Sequence, residues 1–254
     1  MNAMHGTGLM KHSGIYRLIL ATCIFATSTT AFAAPITWTG STLAGTGTSL
    51  ISNAGTLVEA HNVGGASALA TGSVTTGGVT FDVSEVLPSP WPLSFGSAVS
   101  GSLTNDNLFD SVLNSAAYSG FANGSSVQMI IDNLTIGTNY IVQFFAADTR
   151  SCCDQREVTV DDLEGNTLSS SIGDGFVFSG EFMASGNTQT VLFSGNDPVT
   201  NNNCDNAGAC PYLNAWQLRR VEHTRVPEPT TLLLMGLGLV GLGFARKGLN
   251  QPYA

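Results

Sequence analysis

Positive charge is scarce in this 254-residue chain, and lysine is missing from the long middle stretch, residues 34–225. That stretch has five arginines against 17 aspartates and glutamates, a net charge of −12. Nucleic-acid binding requires basic side chains that neutralise phosphates, and docking on anionic lipids requires a basic patch. The composition therefore argues against both kinds of partner. The acidity itself has two interpretations, plain solubility and the binding of divalent cations.

Residues suited to catalysis are also few. After residue 33, histidine occurs only at His61 and His223, and no Gly-x-Ser-x-Gly nucleophile motif is present. A glycoside hydrolase uses two carboxylates whose separation is defined only in three dimensions. That class therefore stays open as a distant alternative, and we expect a protein that is not an enzyme.

The first 33 residues have the order of a secretory signal peptide. Basic residues precede a short apolar run, residues 18–26, and Ala31 and Ala33 supply the small side chains that signal peptidase recognises. We therefore predict export through the Sec translocon and cleavage that leaves Ala34 as the new N-terminus. The alternative is a buried N-terminal helix.

A second apolar segment, the uncharged residues 230–245, lies near the C-terminus. A membrane-spanning helix usually needs about 20 residues, with a lower limit of about 17, so this segment is short for one. Its four glycines weaken it further, because each costs about 1 kcal/mol relative to alanine in a helix. Arg246 and Lys247 follow at once, and basic residues favour the cytoplasmic side. We predict a transmembrane helix with its C-terminus in the cytoplasm.

Val226, Pro227, Glu228 and Pro229 stand just before this apolar segment, and the Arg-Lys pair stands just after it. This order resembles the PEP-CTERM sorting signal of Gram-negative bacteria. The resemblance implies that an exosortase, a membrane-embedded cysteine protease, processes the tail. It also implies delivery to the cell envelope, the cell surface or the extracellular matrix.

These features divide the chain into a signal peptide, an ectodomain, a linker with the Pro-Glu-Pro motif, a transmembrane sorting tail and a cytoplasmic tail. The predicted boundaries are residues 1–33, 34–222, 223–229, 230–247 and 248–254. The ectodomain is long enough for one domain with a substantial core.

Short apolar runs rich in Val, Ile, Phe, Thr and Tyr recur through the ectodomain, separated by Gly, Asn, Asp and Ser. The first group of residues favours strands and the second favours turns. The spacing predicts an all-β sandwich or barrel, with one short helix over residues 107–117. The predicted strands begin near residues 36, 78, 126, 139, 156, 176, 188 and 213.

Four ectodomain segments also resemble a recurring ectodomain of PEP-CTERM and related bacterial surface proteins. They are DSVLNSAAYSG, LTIGTNYIVQFFAADTR, REVTV with a later GN, and LNAWQLRRV. That ectodomain is similar to jelly-roll carbohydrate-binding modules, so the resemblance implies a single jelly-roll-like β-sandwich. Because a fold does not define a ligand, two functions stay open. One is a non-catalytic structural or adhesive role, and the other is binding of extracellular polysaccharide.

Four cysteines follow the predicted cleavage site, namely Cys152, Cys153, Cys204 and Cys210. An even number in an exported domain suggests two disulfides. A bridge between the adjacent Cys152 and Cys153 would close a strained ring. We therefore predict that this pair bonds to Cys204 and Cys210. The alternative is a zinc site, although the spacings do not match the usual cysteine clip.

Two further sets of residues are candidates for ligand contact. Asp161, Asp162 and Glu164 lie together in one predicted turn, and their hard oxygens suit calcium. The alternative is a solvated turn, and no other cofactor is expected. Trp91 and Tyr212 lie in predicted loops, where a flat exposed ring would stack on a sugar; the alternative is packing within the loops. Trp216 lies on a predicted strand and is expected in the core.

Overall fold

The structure is a computed structural model. It describes residues 34–64, 72–83, 91, 93–119, 126–151, 153–196 and 211–222. All of them belong to the unit Ala31–Ala254, the second of the two units into which the contacts divide the chain. The predicted signal peptide, linker and sorting tail lie outside the described residues. Among the described residues, no helix is long and apolar enough to span a bilayer.

Strands make up most of the regular structure in the described part of the chain. The largest sheet has seven strands: β1 (Thr37–Thr42), β2 (Thr56–Asn62), β3 (Val74–Thr76), β4 (Val79–Val83), β8 (Asn139–Ala146), β11 (Phe176–Met183) and β14 (Ala215–Val221). A second sheet has four strands: β7 (Ser126–Ile131), β9 (Glu157–Asp161), β10 (Thr167–Ser171) and β12 (Gln189–Asn196). A third has three: β5 (Leu93–Gly96), β6 (Ser115–Tyr118) and β13 (Tyr212–Leu213).

The two larger sheets pack against each other through a shared apolar core. Side chains alternate between the two faces of a strand, and Val142 and Phe144 of β8 point into this core, where both are fully buried. The Phe144 ring meets Phe193 of β12 edge-on, with ring centroids 4.9 Å apart. Trp216 lies in the same core and is 6% exposed. The all-β prediction is therefore confirmed, and so is the core position of Trp216.

A second core covers part of the outer face of the seven-stranded sheet. The Phe145 ring there meets the rings of Phe81 and Phe109 edge-on, at centroid distances of 5.9 and 5.4 Å. Phe109 belongs to helix α1 (Asn107–Leu113). The sequence predicted a helix as far as residue 117, and this boundary is wrong. The helix ends earlier because β6 pairs with β5 and β13.

The direction of β14 fixes where the chain leaves the sandwich. Ala215 lies opposite Phe145 of β8, and Val221 lies opposite Asn139. These two positions are about 20 Å apart, since a strand rises about 3.3 Å per residue. The chain therefore leaves at the end where β8 begins. The segment that follows β8 lies at the opposite end.

Candidate functional site

A buried charged cluster lies just beyond the end of β8, far from the chain exit. Asp148 is fully buried, and its carboxylate accepts hydrogen bonds from Arg150 Nε at 2.8 Å and Nη2 at 2.7 Å. Arg156 Nη1 lies 3.2 Å from the same carboxylate. The Arg156 guanidinium also lies over the Tyr212 ring, 5.1 Å from its centroid. One carboxylate thus faces two of the five arginines of residues 34–225.

Two members of this cluster, Arg150 and Tyr212, have pKa values that their surroundings raise. The hydrogen bond to Asp148 raises the pKa of the Arg150 guanidinium above its ordinary value. Burial raises the pKa of the Tyr212 phenol well above its ordinary value, and the hydroxyl donates to the Ala147 carbonyl at 3.0 Å. Arg150 therefore stays charged and Tyr212 stays neutral at neutral pH, which suits a structural role for these two groups better than acid–base chemistry.

Asn214 ties several elements together beside this cluster. Its side chain is fully buried, and its Oδ1 accepts from the Ala147 N–H at 2.6 Å. Its Nδ2 donates to the carbonyls of Ser115 at 3.1 Å and Ala147 at 3.2 Å. A single amide therefore joins the start of β14 to β6 and to the end of β8.

Sequence reasoning did not single out Asp148, Arg150, Arg156 or Asn214. The available signal was the placement of two of the rare arginines on either side of the adjacent cysteines. In a lysine-free domain, arginine is the permanently charged side chain available to pair with a buried acid, so this placement pointed to a buried ion cluster.

Cys153 lies within the same loop and is disulfide-bonded. Its N–H donates to the Arg150 carbonyl at 2.8 Å, and its own carbonyl accepts from the Arg156 N–H at 3.1 Å. The bridge and the charged cluster therefore support one loop. Cys152, Cys204 and Cys210 lie outside the described residues, so the pairing stays a prediction.

In the candidate calcium turn, the aspartate carboxylates accept hydrogen bonds from N–H groups. Asp162 is fully buried. Its carboxylate accepts from the backbone N–H groups of Ile36 at 2.7 Å, Glu164 at 2.8 Å and Asn166 at 3.0 Å, and from Asn166 Nδ2 at 2.7 Å. Asp161 Oδ1 accepts from the Leu163 N–H at 2.7 Å. Four donors surround the carboxylate of Asp162, so the central residue of the proposed calcium set faces N–H groups.

No group of three acidic, histidine or cysteine side chains is placed to hold a metal ion within the described ranges. The calcium prediction for Asp161, Asp162 and Glu164 is therefore not supported by the geometry. Calcium binding and the acceptance of backbone hydrogen bonds share one sequence pattern, because a carboxylate in a turn attracts either a cation or backbone N–H groups.

Asp162 anchors the N-terminal segment as an ion. Burial pushes its pKa upward, but the hydrogen bonds from Asn166, Ile36 and Glu164 outweigh burial, and the pKa falls below the ordinary value of 3.8. The carboxylate thus stays charged in the folded protein and ties the chain before β1 to the turn between β9 and β10.

We expect Asp162→Asn to lower the free energy of unfolding by roughly 2–4 kcal/mol, because an amide N–H₂ would face N–H donors. The folded-state pKa is depressed, so this stabilisation is present above the unfolded-state value and is lost as pH falls through the folded-state value. Urea unfolding should therefore show a difference in the free energy of unfolding between the wild type and Asp162→Asn that is smaller at acid pH than at neutral pH. Asp161→Asn, which alters one exposed hydrogen bond, is the control. Equal stability of Asp162→Asn and wild type at neutral pH would contradict the assignment.

The two candidate sugar-contact rings are buried. Trp91 is 3% exposed and Tyr212 is 0% exposed. Trp91 packs edge-on against Phe193, with centroids 5.4 Å apart, and Tyr212 opens β13 beneath Arg156. The prediction that these rings present a free face in loops is therefore wrong, because both fill space at the core.

A polar cleft of about 440 Å³ opens at the same end of the sandwich as the buried cluster. Its lining includes the hydroxyls of Ser100 and Thr149, the Gln155 amide, and the carboxylates of Asp154 and Asp174. Hydroxyl, amide and carboxylate groups suit a polar ligand rich in hydrogen-bonding groups. The cleft faces away from the end where the chain leaves.

Several solved structures are similar to this chain at low identity. The ANX2 ectodomain of Arabidopsis thaliana has a TM-score of 0.44 at 10% identity, covering 66% of this chain and 50% of that one. The ANX1 ectodomain of the same plant has a TM-score of 0.46 at 11% identity, with 66% and 49% covered. The GH115 glucuronidase BtGH115A, with specificity for decorated arabinogalactans, has a TM-score of 0.28 at 10% identity, with 52% and 18% covered.

The chain thus spans about half the length of the two plant ectodomains. Because all three TM-scores lie below 0.5, they establish neither fold nor ligand. No curated protein matches the chain.

The C-terminal residues give a specific match. Residues 225–247 match the PEP-CTERM protein-sorting motif. The match spans Val226, Pro227, Glu228 and Pro229 and extends through Arg246 and Lys247. The predicted resemblance is therefore confirmed. This chain carries a PEP-CTERM sorting motif, which indicates export to the cell envelope or surface and processing by an exosortase.

Proposed function

We propose that the protein is a non-catalytic component of the cell surface or extracellular matrix with a structural or adhesive role. The observation that carries the proposal is the position of the sorting motif. β14 ends at Val221, and the motif begins at residue 225. The sorting tail therefore follows the β-sandwich directly, and the sandwich is the domain that the tail would deliver to the cell surface. In the precursor, the signal peptide places this domain outside the membrane, and the basic pair holds the C-terminus in the cytoplasm.

The order of the strands supports the jelly-roll fold that the sequence resemblance implies. Eight strands, in chain order, are β2, β7, β8, β9, β10, β11, β12 and β14. In the seven-stranded sheet, four of them lie in the order β2-β14-β8-β11, and the four-stranded sheet has the order β7-β12-β9-β10. When the eight strands are numbered 1 to 8 along the chain, these orders are 1-8-3-6 and 2-7-4-5. All but one of their connections cross between the sheets, as in an eight-stranded double-sheet jelly roll.

The use of the buried acids supports a non-catalytic role. Asp148 faces two arginines, and Asp162 accepts four hydrogen bonds. Asp110 accepts from the Thr104 N–H at 2.9 Å and from its hydroxyl at 2.8 Å. His61 stacks on Trp216, at 5.3 Å between centroids. These side chains are engaged in contacts that stabilise the fold, which favours a structural use of the buried acids in the described part of the chain.

The polar cleft favours a second candidate function, the binding of extracellular polysaccharide. It lies at the end opposite the chain exit, so in the membrane-held precursor it is directed outward. Its lining would bind a sugar through hydrogen bonds from Gln155 and to Asp154 and Asp174, rather than by stacking on an aromatic ring.

A comparison of binding and hydrolysis separates these candidates. We expect the exported protein to co-fractionate with matrix material, to bind no glycan of an array above background, and to release no reducing sugar from matrix polysaccharide. Glycan binding that is lost in Gln155→Ala/Asp174→Asn and kept in Ser169→Ala, which lies outside the cleft, would favour polysaccharide binding. Release of reducing sugar would overturn the non-catalytic proposal.

A further inference from the structure

β1 is an edge strand of the seven-stranded sheet and has one neighbour there, β11. An edge strand presents backbone N–H and C=O groups that no neighbour uses, and natural proteins protect it with lysine, proline, a bulge or short length. β1 is six residues long, contains no charge and no proline, and pairs with β11 without a register shift. None of these protections is therefore present in β1.

Charge is absent from both edge strands although the ectodomain is strongly acidic, and the acids beside them are Glu181, opposite Thr37 of β1, and Glu157 and Asp161, opposite the two ends of β10. Residues 34–58 contain no charged side chain at all. On the same side of the sandwich, β10 forms an edge of the four-stranded sheet and is also uncharged, with the sequence TLSSS. A second acidic copy of the chain would meet less electrostatic repulsion along this strip than over the acidic remainder of the surface.

Half-buried apolar side chains lie between the two edges. Trp38, Leu168 and Phe176 pack against the main core and remain partly accessible. The Phe176 ring lies over Gly40 and the Trp38 ring over Gly180, where a Cβ atom on either glycine would collide with the ring. The rings therefore lie flat on the sheet, and an added strand would cover apolar surface.

We propose that the strip formed by β1 (Thr37–Thr42) and β10 (Thr167–Ser171), here called the open edge, is a self-association surface. At this surface β1 pairs antiparallel with β1 of a second copy. A two-fold axis brings the same strand of both copies together, so uncharged Ser and Thr residues face one another, a favourable cross-strand arrangement. Main-chain hydrogen bonds supply the attraction, as in other strand additions. The contact would give a surface or matrix component a way to join its own copies.

The primary test is the mass of the protein in solution as a function of concentration. The full chain is produced in an exosortase-bearing host, extracted in mild detergent and examined by sedimentation velocity. We expect a reversible monomer–dimer equilibrium, with slower amide hydrogen exchange in residues 37–42 at high concentration. The measurement works whether or not the tail has been processed, so failure of sorting cannot be mistaken for failure of association. A purely monomeric protein, or a dimer without added protection in β1, would overturn the proposal.

Matched charge variants locate the contact. Thr39→Glu/Ser41→Glu places two acids on exposed positions of β1, opposite the neutral Ser179 and Val177 of β11. We expect dimerisation to weaken about tenfold or more, because like charges would face each other across the two-fold pair.

The control Ser126→Glu/Gln128→Glu adds the same charge to β7, the other edge of the four-stranded sheet. It should dimerise as the wild type does, and thermal unfolding checks that both variants fold. Dimerisation that survives in the β1 variant, or that falls equally in the control, would show that the contact lies elsewhere.

Discussion

Replacing Pro227, Glu228 and Pro229 with three alanines is expected to leave most of the protein as a membrane-retained precursor, heavier than the wild-type product. The three residues lie inside the matched motif, just before the uncharged segment 230–245. Each proline fixes its own φ angle, and each also biases the residue before it toward an extended conformation. Alanine favours a helix instead, so the variant removes the extended substrate that a protease cleft requires.

The variant separates a sorting signal from a simple anchor. Residues 230–247 are untouched, so membrane insertion and the basic stop are the same in both proteins. The measurement is intact mass and cell fractionation in an exosortase-bearing host. His223→Ala/Thr224→Ala, just before the matched residues, is the control and should be processed normally. Wild-type protein in a host without exosortase should behave like the variant. Equal size and equal surface delivery of variant and wild type would show that the motif is not used.

The sequence was most informative where side chains alternate with a clear apolar period. In β7, the sequence SVQMII alternates exposed and buried residues along its whole length, and this strand was predicted. All eight predicted strand positions coincide with strands of the structure. β10 was missed because it is a Ser-rich edge strand in which Leu168 is the only large apolar residue. An edge strand has less to bury, so its apolar period is weak.

The candidate sites were harder to predict, because their environments come from distant parts of the chain. Tyr212 follows a proline and looked like a loop residue, yet Arg156 covers its ring. Asp162 lies in an acidic turn that suited calcium, yet its carboxylate accepts a hydrogen bond from the N–H of Ile36, which lies 126 residues earlier in the sequence. Residue types gave the chemistry of each group, whereas only the tertiary structure gave its partners. The sorting motif was predictable because its signal is contiguous in sequence.

The largest effect on stability is expected for Asp148→Asn. Asp148 is fully buried, and it faces Arg156, whose side chain is 4% exposed, as well as the half-buried Arg150. Removing one member of a buried ion pair leaves the opposite charge in a place that water does not reach, and this costs about 3–5 kcal/mol. A domain of ordinary stability, about 5–15 kcal/mol, would lose a large share of it.

Urea unfolding of the oxidised protein measures this loss, and an unchanged m-value shows that the variant unfolds as the wild type does. Glu222→Gln is the matched control, since it breaks the exposed pair with Arg220, whose side chains are 73% and 46% exposed. Exposed pairs contribute about 0–1 kcal/mol, so this variant should unfold almost as the wild type does. The double variant Asp148→Asn/Arg156→Gln should lose less than the sum of the two single losses, because both remove the same interaction. A loss for Asp148→Asn no larger than that for Glu222→Gln would contradict the structural role of the buried cluster.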